Sequence, residues 1–166
     1  MDDLDFDLGQ FRALFVDEAR QHLQTLNAQL LVLERDPADA AALQTVFRAA
    51  HSLKGSAATM GYDDLAALAH EAENVLDHLR RGEWVWSAAL VQTLFAALDA
   101  LQILVADVAA ERPASIDVAA AIARLRQSPP DEPIPAEESA PLPAATPAAE
   151  LPPPPLPSAG VIRVDV

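Results

Sequence analysis

From about residue 10 to residue 127, apolar side chains recur every three and four positions in long stretches, and each stretch ends at a short break. A helix repeats every 3.6 residues, so this spacing gathers the apolar groups into one stripe along each helix and leaves the opposite side polar. A chain patterned this way can bury its stripes only by packing helix on helix. The first stretch, 10–34, sets Phe11, Leu14, Phe15, Ala19, Leu23, Leu26, Leu30 and Leu33 inward; residues 1–9 are acidic and expected to fray. The second, 37–60, uses Leu43, Val46, Phe47, Ala50, Leu53, Ala57 and Met60, with Asp36 as its cap, Pro37 in the first turn and Gly61 as its stop.

A third helix is expected over 63–81, ended by Gly82, and a fourth over 88–110, capped by Ser87 and broken before Pro113. Trp84 and Trp86 lie between them as an apolar lid on the bundle end. Ser115 is placed to cap a short fifth helix, 116–127. Short connections make successive helices antiparallel neighbours. The expected fold is therefore all-α: an antiparallel up-down four-helix bundle, with the fifth helix across one end. Alanine and leucine dominate the apolar residues and only 5% of the chain is aromatic, which suits close helix packing.

Past residue 127 the character changes. Twelve of the fourteen prolines fall in 128–160, among alanine, glutamate and serine, as in a disordered linker with no core of its own. The alternating residues 161–166 read as the opening strand of a following domain that has been cut off. This divides the chain into 1–127, 128–160 and 161–166.

A net charge of −14 excludes the basic surface that nucleic-acid binding needs. The chain has no cysteine, so disulfides, thiolate metal sites and a cysteine nucleophile are excluded. The four histidines show no paired ligand spacing, and no metal site is expected. No apolar run of about 20 residues is read as a membrane span, the first residues are acidic rather than signal-like, and a cytoplasmic location is expected.

The stretch 47–61 holds the residues with chemistry. Lys54 lies one turn after His51, and Gly55 lies beside it, so an imidazole, an ammonium and bare backbone share one side of the second helix. Lys54 is the only lysine; every other basic residue is arginine. His51 reads as a nucleophile that accepts a phosphoryl group. That role needs a neutral ring with one nitrogen open and the hydrogen on the other held by a carboxylate. His51 lies ten residues before Gly61 and Glu73 twelve after it, which sets them level on antiparallel helices. Glu73 is thus the orienting carboxylate, His70 one turn earlier joins the polar cluster, and Lys54 balances the incoming charge. Gly55 leaves room for a partner's active site. A non-catalytic helical adaptor remains the alternative reading of the same residues.

These residues carry a resemblance. Ala50-His51-Ser52-Leu53-Lys54-Gly55 resembles the His-x-x-Lys-Gly signature of histidine phosphotransfer domains. The longer Phe47-Arg48-Ala49-Ala50-His51-Ser52-Leu53-Lys54-Gly55 and the later His70-Glu71-Ala72-Glu73-Asn74 resemble those of CheA-like chemotaxis kinases, over roughly residues 10–127. Small differences stand at Ser56, Ala58 and Met60. The resemblance implies that His51 is phosphorylated on Nε2, that Glu73 bonds its Nδ1, and that Lys54 and His70 complete the network. It also implies a donor and an acceptor: ATP, used with magnesium by a separate catalytic domain of the same kinase, and an aspartate of a response-regulator receiver domain. No cofactor is expected on this stretch itself, which has no glycine-rich phosphate loop. A free-standing phosphorelay protein would share the chemistry, and the proline-rich tail speaks against it. The short linker leaves no room for a regulator-docking domain, which also permits a kinase of another pathway, such as surface motility.

Overall fold

A computed structural model describes residues 2–127, with side chains from residue 8 onward. The expected linker 128–160 and strand 161–166 lie outside the described residues. Five helices follow in order: α1 (Asp2–Arg35), α2 (Ala40–Thr59), α3 (Asp63–Arg80), α4 (Ala88–Ala109) and α5 (Val118–Arg126). Neighbours in sequence pack together, and α4 closes the ring against α1. The core is almost wholly leucine, valine and alanine from α1 to α4. Leu33, Val46, Leu53, Leu68 and Ala57 are all sealed from solvent, and each fully buried leucine or valine contributes about 1.5–3 kcal/mol by leaving water.

α1 begins near the chain start rather than at residue 10, and two of its expected core residues are outside. Phe11 and Leu14 are 58% and 66% exposed, whereas Phe15 and Val16 are buried. For Phe11 the reason is length. α1 has 34 residues against 20 in α2 and 22 in α4. Phe15 already meets Tyr62, just past the end of α2, and Arg12 reaches Glu111, just past the end of α4. The turn of α1 that holds Phe11 therefore has no facing helix, whereas Leu14, level with Phe15, points about 100° away from it and off the buried stripe.

Two caps also differ from expectation. Asp36 accepts from the Ala38 amide in a tight turn through Pro37, and it is Asp39 that accepts from the Ala42 amide and opens α2. Likewise Asp117, not Ser115, opens α5 by accepting from the Ala120 amide, at 2.9 Å. Ser87 caps α4 as expected. Gly61 and Gly82 take φ of +75° and +71°, and the left-handed turn lets the amide that follows each reach back to a carbonyl of the helix just ended. Trp86 is buried as a lid residue, while Trp84 is half-buried and stacks on His78.

Ser115 has another task. Its amide and its hydroxyl both donate to Oδ2 of buried Asp107, at 2.8 and 2.7 Å, and Arg112 donates to Oδ1. This clasp folds the α4–α5 connection back on α4. α5 consequently lies alongside α3 and α4 instead of across a bundle end, with Leu125 buried and Arg126 paired to Glu71. The Ser115 and Arg112 bonds outweigh burial and hold the Asp107 carboxyl below its ordinary value of 3.8. A depressed carboxylate stabilises the fold above its unfolded value, and that contribution disappears as pH falls through the folded value. Urea unfolding of Asp107→Asn against the parent chain should therefore show a deficit at neutral pH that shrinks on acidification below that ordinary value.

By length and composition α4 is apolar enough to cross a membrane, which corrects the reading that no such run exists. In this fold half of that window is buried, and its leucines and valines face α1 and α3. A core helix surrounded by other helices has the same composition.

Candidate functional site

His51 projects from α2 with 62% of its side chain exposed. Its apolar neighbours Ala50 and Leu53 turn into the core and fix the helix, so the ring stands outward on a rigid support. Nδ1 meets Oε1 of Glu73 on α3 at 2.6 Å. Glu73 is the reverse case: its side chain is 11% exposed and its second oxygen is sealed. Lys54 Nζ lies 2.6 Å from that oxygen and meets it as an ion pair. Burial pulls the Glu73 carboxyl up, but the bonds and charges of Lys54 and His51 together hold it below its ordinary value of 4.5. An ionised carboxylate can only accept a hydrogen bond, so Nδ1 carries a ring hydrogen and Nε2 is the nitrogen left open. Nε2 lies across the ring from the bonded nitrogen and faces away from α3.

The structure thus brings together His51, Glu73 and Lys54. His70 is exposed and, among the described residues, makes no hydrogen bond or ion pair with them. Its place three residues before Glu73 turns it about 60° further round α3, away from α2. Lys54 joins the network through its ion pair with Glu73.

Two further side chains border the site, and the sequence reading set the first of them, Phe47, inward. Phe47, one turn before His51, lies parallel to its ring at 6.3 Å, and the Arg80 guanidinium sits 4.5 Å over Phe47. Arg80 is held there by Asp77 through two hydrogen bonds. The signal available in advance was the spacing Asp77-x-x-Arg80, which pairs opposite charges on one side of a helix. Among the described residues, no group of three or more histidine, aspartate or glutamate side chains could hold a metal ion.

Gly55 lies mid-helix, exposed, and a Cβ built on it meets nothing within 4 Å. Nothing inside the fold requires glycine there. In a helix interior glycine costs about 0.5–1 kcal/mol relative to alanine. Gly55→Ala should therefore raise stability by about that amount in urea unfolding.

The site is thus an imidazole exposed on a helical bundle, with its Nδ1 held by a largely buried carboxylate. Residues 10–111 match the family model described as Hpt domain, and the chain belongs to that family. Among curated relatives, the chemotaxis protein CheA of Bacillus subtilis is 50% identical over 99 residues, covering 60% of this chain and 15% of that protein. The chain thus spans a small part of the relatives it matches. The CheA phosphotransferase domain from Thermotoga maritima is 39% identical, with a TM-score of 0.58 over 60% of this chain and 95% of that one. The phosphorylated P1 domain of CheA3, solved in complex with CheY6 from R. sphaeroides, is 27% identical, with a TM-score of 0.64 over 71% and 94%. The phosphotransfer domain of a CheA-like chemotaxis kinase is what this chain is similar to along most of its folded length.

Proposed function

We propose that this chain is the phosphoryl carrier of a CheA-like kinase, with His51 Nε2 as the atom that takes and gives the group. The observation that supports it is the 2.6 Å bond from Nδ1 to buried Glu73 beneath an exposed ring. On acceptance, the Nε2 lone pair forms the N–P bond as the bond between the γ-phosphorus of ATP and its bridging oxygen breaks, and ADP leaves with that electron pair. The ring keeps its Nδ1 hydrogen, and the Glu73 carboxylate, held in place by Lys54, stabilises the positive charge the imidazole gains. On donation, a carboxylate oxygen of a receiver aspartate attacks phosphorus, the N–P bond breaks, and its electrons return to Nε2. The neutral ring is restored in the same tautomer.

ATP and magnesium belong to a separate catalytic domain in this reading, and the whole system operates in the cytoplasm. A receiver-type partner is supported by the similarity to the P1 domain solved with CheY6. Gly55 keeps the approach to Nε2 low, so Gly55→Leu should slow transfer while His51 stays intact. Incubation with a purified CheA-type catalytic core and labelled ATP, followed by receiver domains, tests the whole scheme. Acid-labile, base-stable label that passes to a receiver is expected. A chain left unlabelled beside an active core reduces it to a helical adaptor.

A further inference from the structure

The charge at the site does not close with the three residues described. Glu73 and Lys54 cancel across 2.6 Å. A phosphoryl group brings a charge of roughly −1.5 to −2, and the positive charge the ring gains on taking it offsets only part of that. Among the described residues most basic side chains are taken up by carboxylates, Arg80 and Arg81 by Asp77, Arg112 by Asp107 and Arg126 by Glu71. Arg48 is exposed and takes part in no hydrogen bond or ion pair among them. Arg35 is the other such case, and it ends α1, where the negative pole of the helix accounts for it. No such account exists for Arg48 in the middle of α2.

Its position supplies one. Three residues before His51, Arg48 is rotated about 60° to one side of it, and Lys54, three after, about 60° to the other. Lys54 leans toward α3 and Glu73; Arg48 lies with Gly55 on the side to which Nε2 is turned. Side chains three apart on a helix have Cβ atoms about 5–6 Å from each other, within reach of a guanidinium. Arginine also presents a planar fork of donors that fits two phosphate oxygens at once.

Resting on the assignment of His51 as the carrier, we infer that Arg48 is a second catalytic residue, whose guanidinium binds the phosphoryl oxygens while the group is on Nε2. Hydrogen bonds to charged groups are strong enough for an effect of about tenfold. The test uses the whole chain as wild type, R48Q and R48K, each labelled by a CheA-type core and then mixed with saturating receiver. R48Q should lower kcat about tenfold in both steps with less change in KM, and R48K should recover most of it. The ³¹P titration of phospho-His51 should move to higher pH in R48Q, because the lost cation favoured the dianion. Equal kcat in all three chains, or a loss confined to KM that salt abolishes, overturns the inference and leaves Arg48 a docking charge. A shifted imidazole NMR signal in unphosphorylated R48Q also overturns it, since the effect then passes through the ring. Failure of the wild type to label is a different result, and it removes the His51 assignment itself.

Discussion

His51→Gln leaves the chain with no acid-labile phosphate when a CheA-type core and labelled ATP are supplied. Glutamine keeps the helix and the bulk of the side chain, but its amide nitrogen has no lone pair to offer phosphorus. No neighbour can substitute. His70 is exposed but lacks a carboxylate partner among the described residues, His78, though its Nδ1 meets Glu83 at 2.5 Å, has its ring stacked on Trp84, and His22 on α1 meets Glu18 through Nε2 itself. The loss should therefore be complete, while the unfolding midpoint in urea barely moves because the ring is mostly solvated. Label that persists in this variant, at wild-type stoichiometry, places the acceptor elsewhere and ends the argument for α2.

Glu73→Ala is the second large effect, and it is graded. Without the carboxylate, Nδ1 and Nε2 compete for the proton, the ring rotates freely, and the charge on the phosphorylated imidazole has no counterion. Positioned proton-handling groups contribute about 10²–10⁴ in rate, so single-turnover labelling should slow by that range without stopping. Alanine also strands Lys54, so part of any loss could come from a disturbed α2–α3 contact. Glu73→Gln separates the two. It can still accept the Nδ1 hydrogen bond but carries no charge, and its rate should fall between the parent and the alanine variant. Imidazole NMR should report mixed tautomers in Glu73→Ala and one dominant tautomer in Glu73→Gln. An alanine variant that labels at the parent rate would sink the orienting role.

Most of this was readable from the chain because both parts obey local rules. Helical periodicity placed Val46, Ala50, Leu53 and Ala57 of α2 in the core, though it passed over Ala42 and Ala49, and counting outward from Gly61 set His51 against Glu73 before any coordinate was known. The failures arose where periodicity has no information. A stripe says which side of a helix is apolar, not where the facing helix stops, and so Phe11 was taken for core, while Leu14 was misplaced by the width allowed to the stripe. Two aspartates compete around Pro37, and Asp39 caps because Asp36 is already engaged in the turn. Asp107 gave no warning at all: an acid at the end of an apolar helix looks solvated until Ser115 and Arg112 are folded over it. At the site, His70 was expected in the network, but its own spacing on α3 turns it aside from Glu73, and it makes no hydrogen bond or ion pair among the described residues.

His51, Lys54, Glu73, Phe47 and Arg80 all belong to α2 and α3, and the Gly61 turn joins those two helices directly. None of these side chains lies on the remaining three helices, which pack against the hairpin. Evolution can therefore rewrite their outward surfaces for new associations without retuning the reagent, and a graft of the hairpin's polar side chains onto another antiparallel pair would carry the reagent with it.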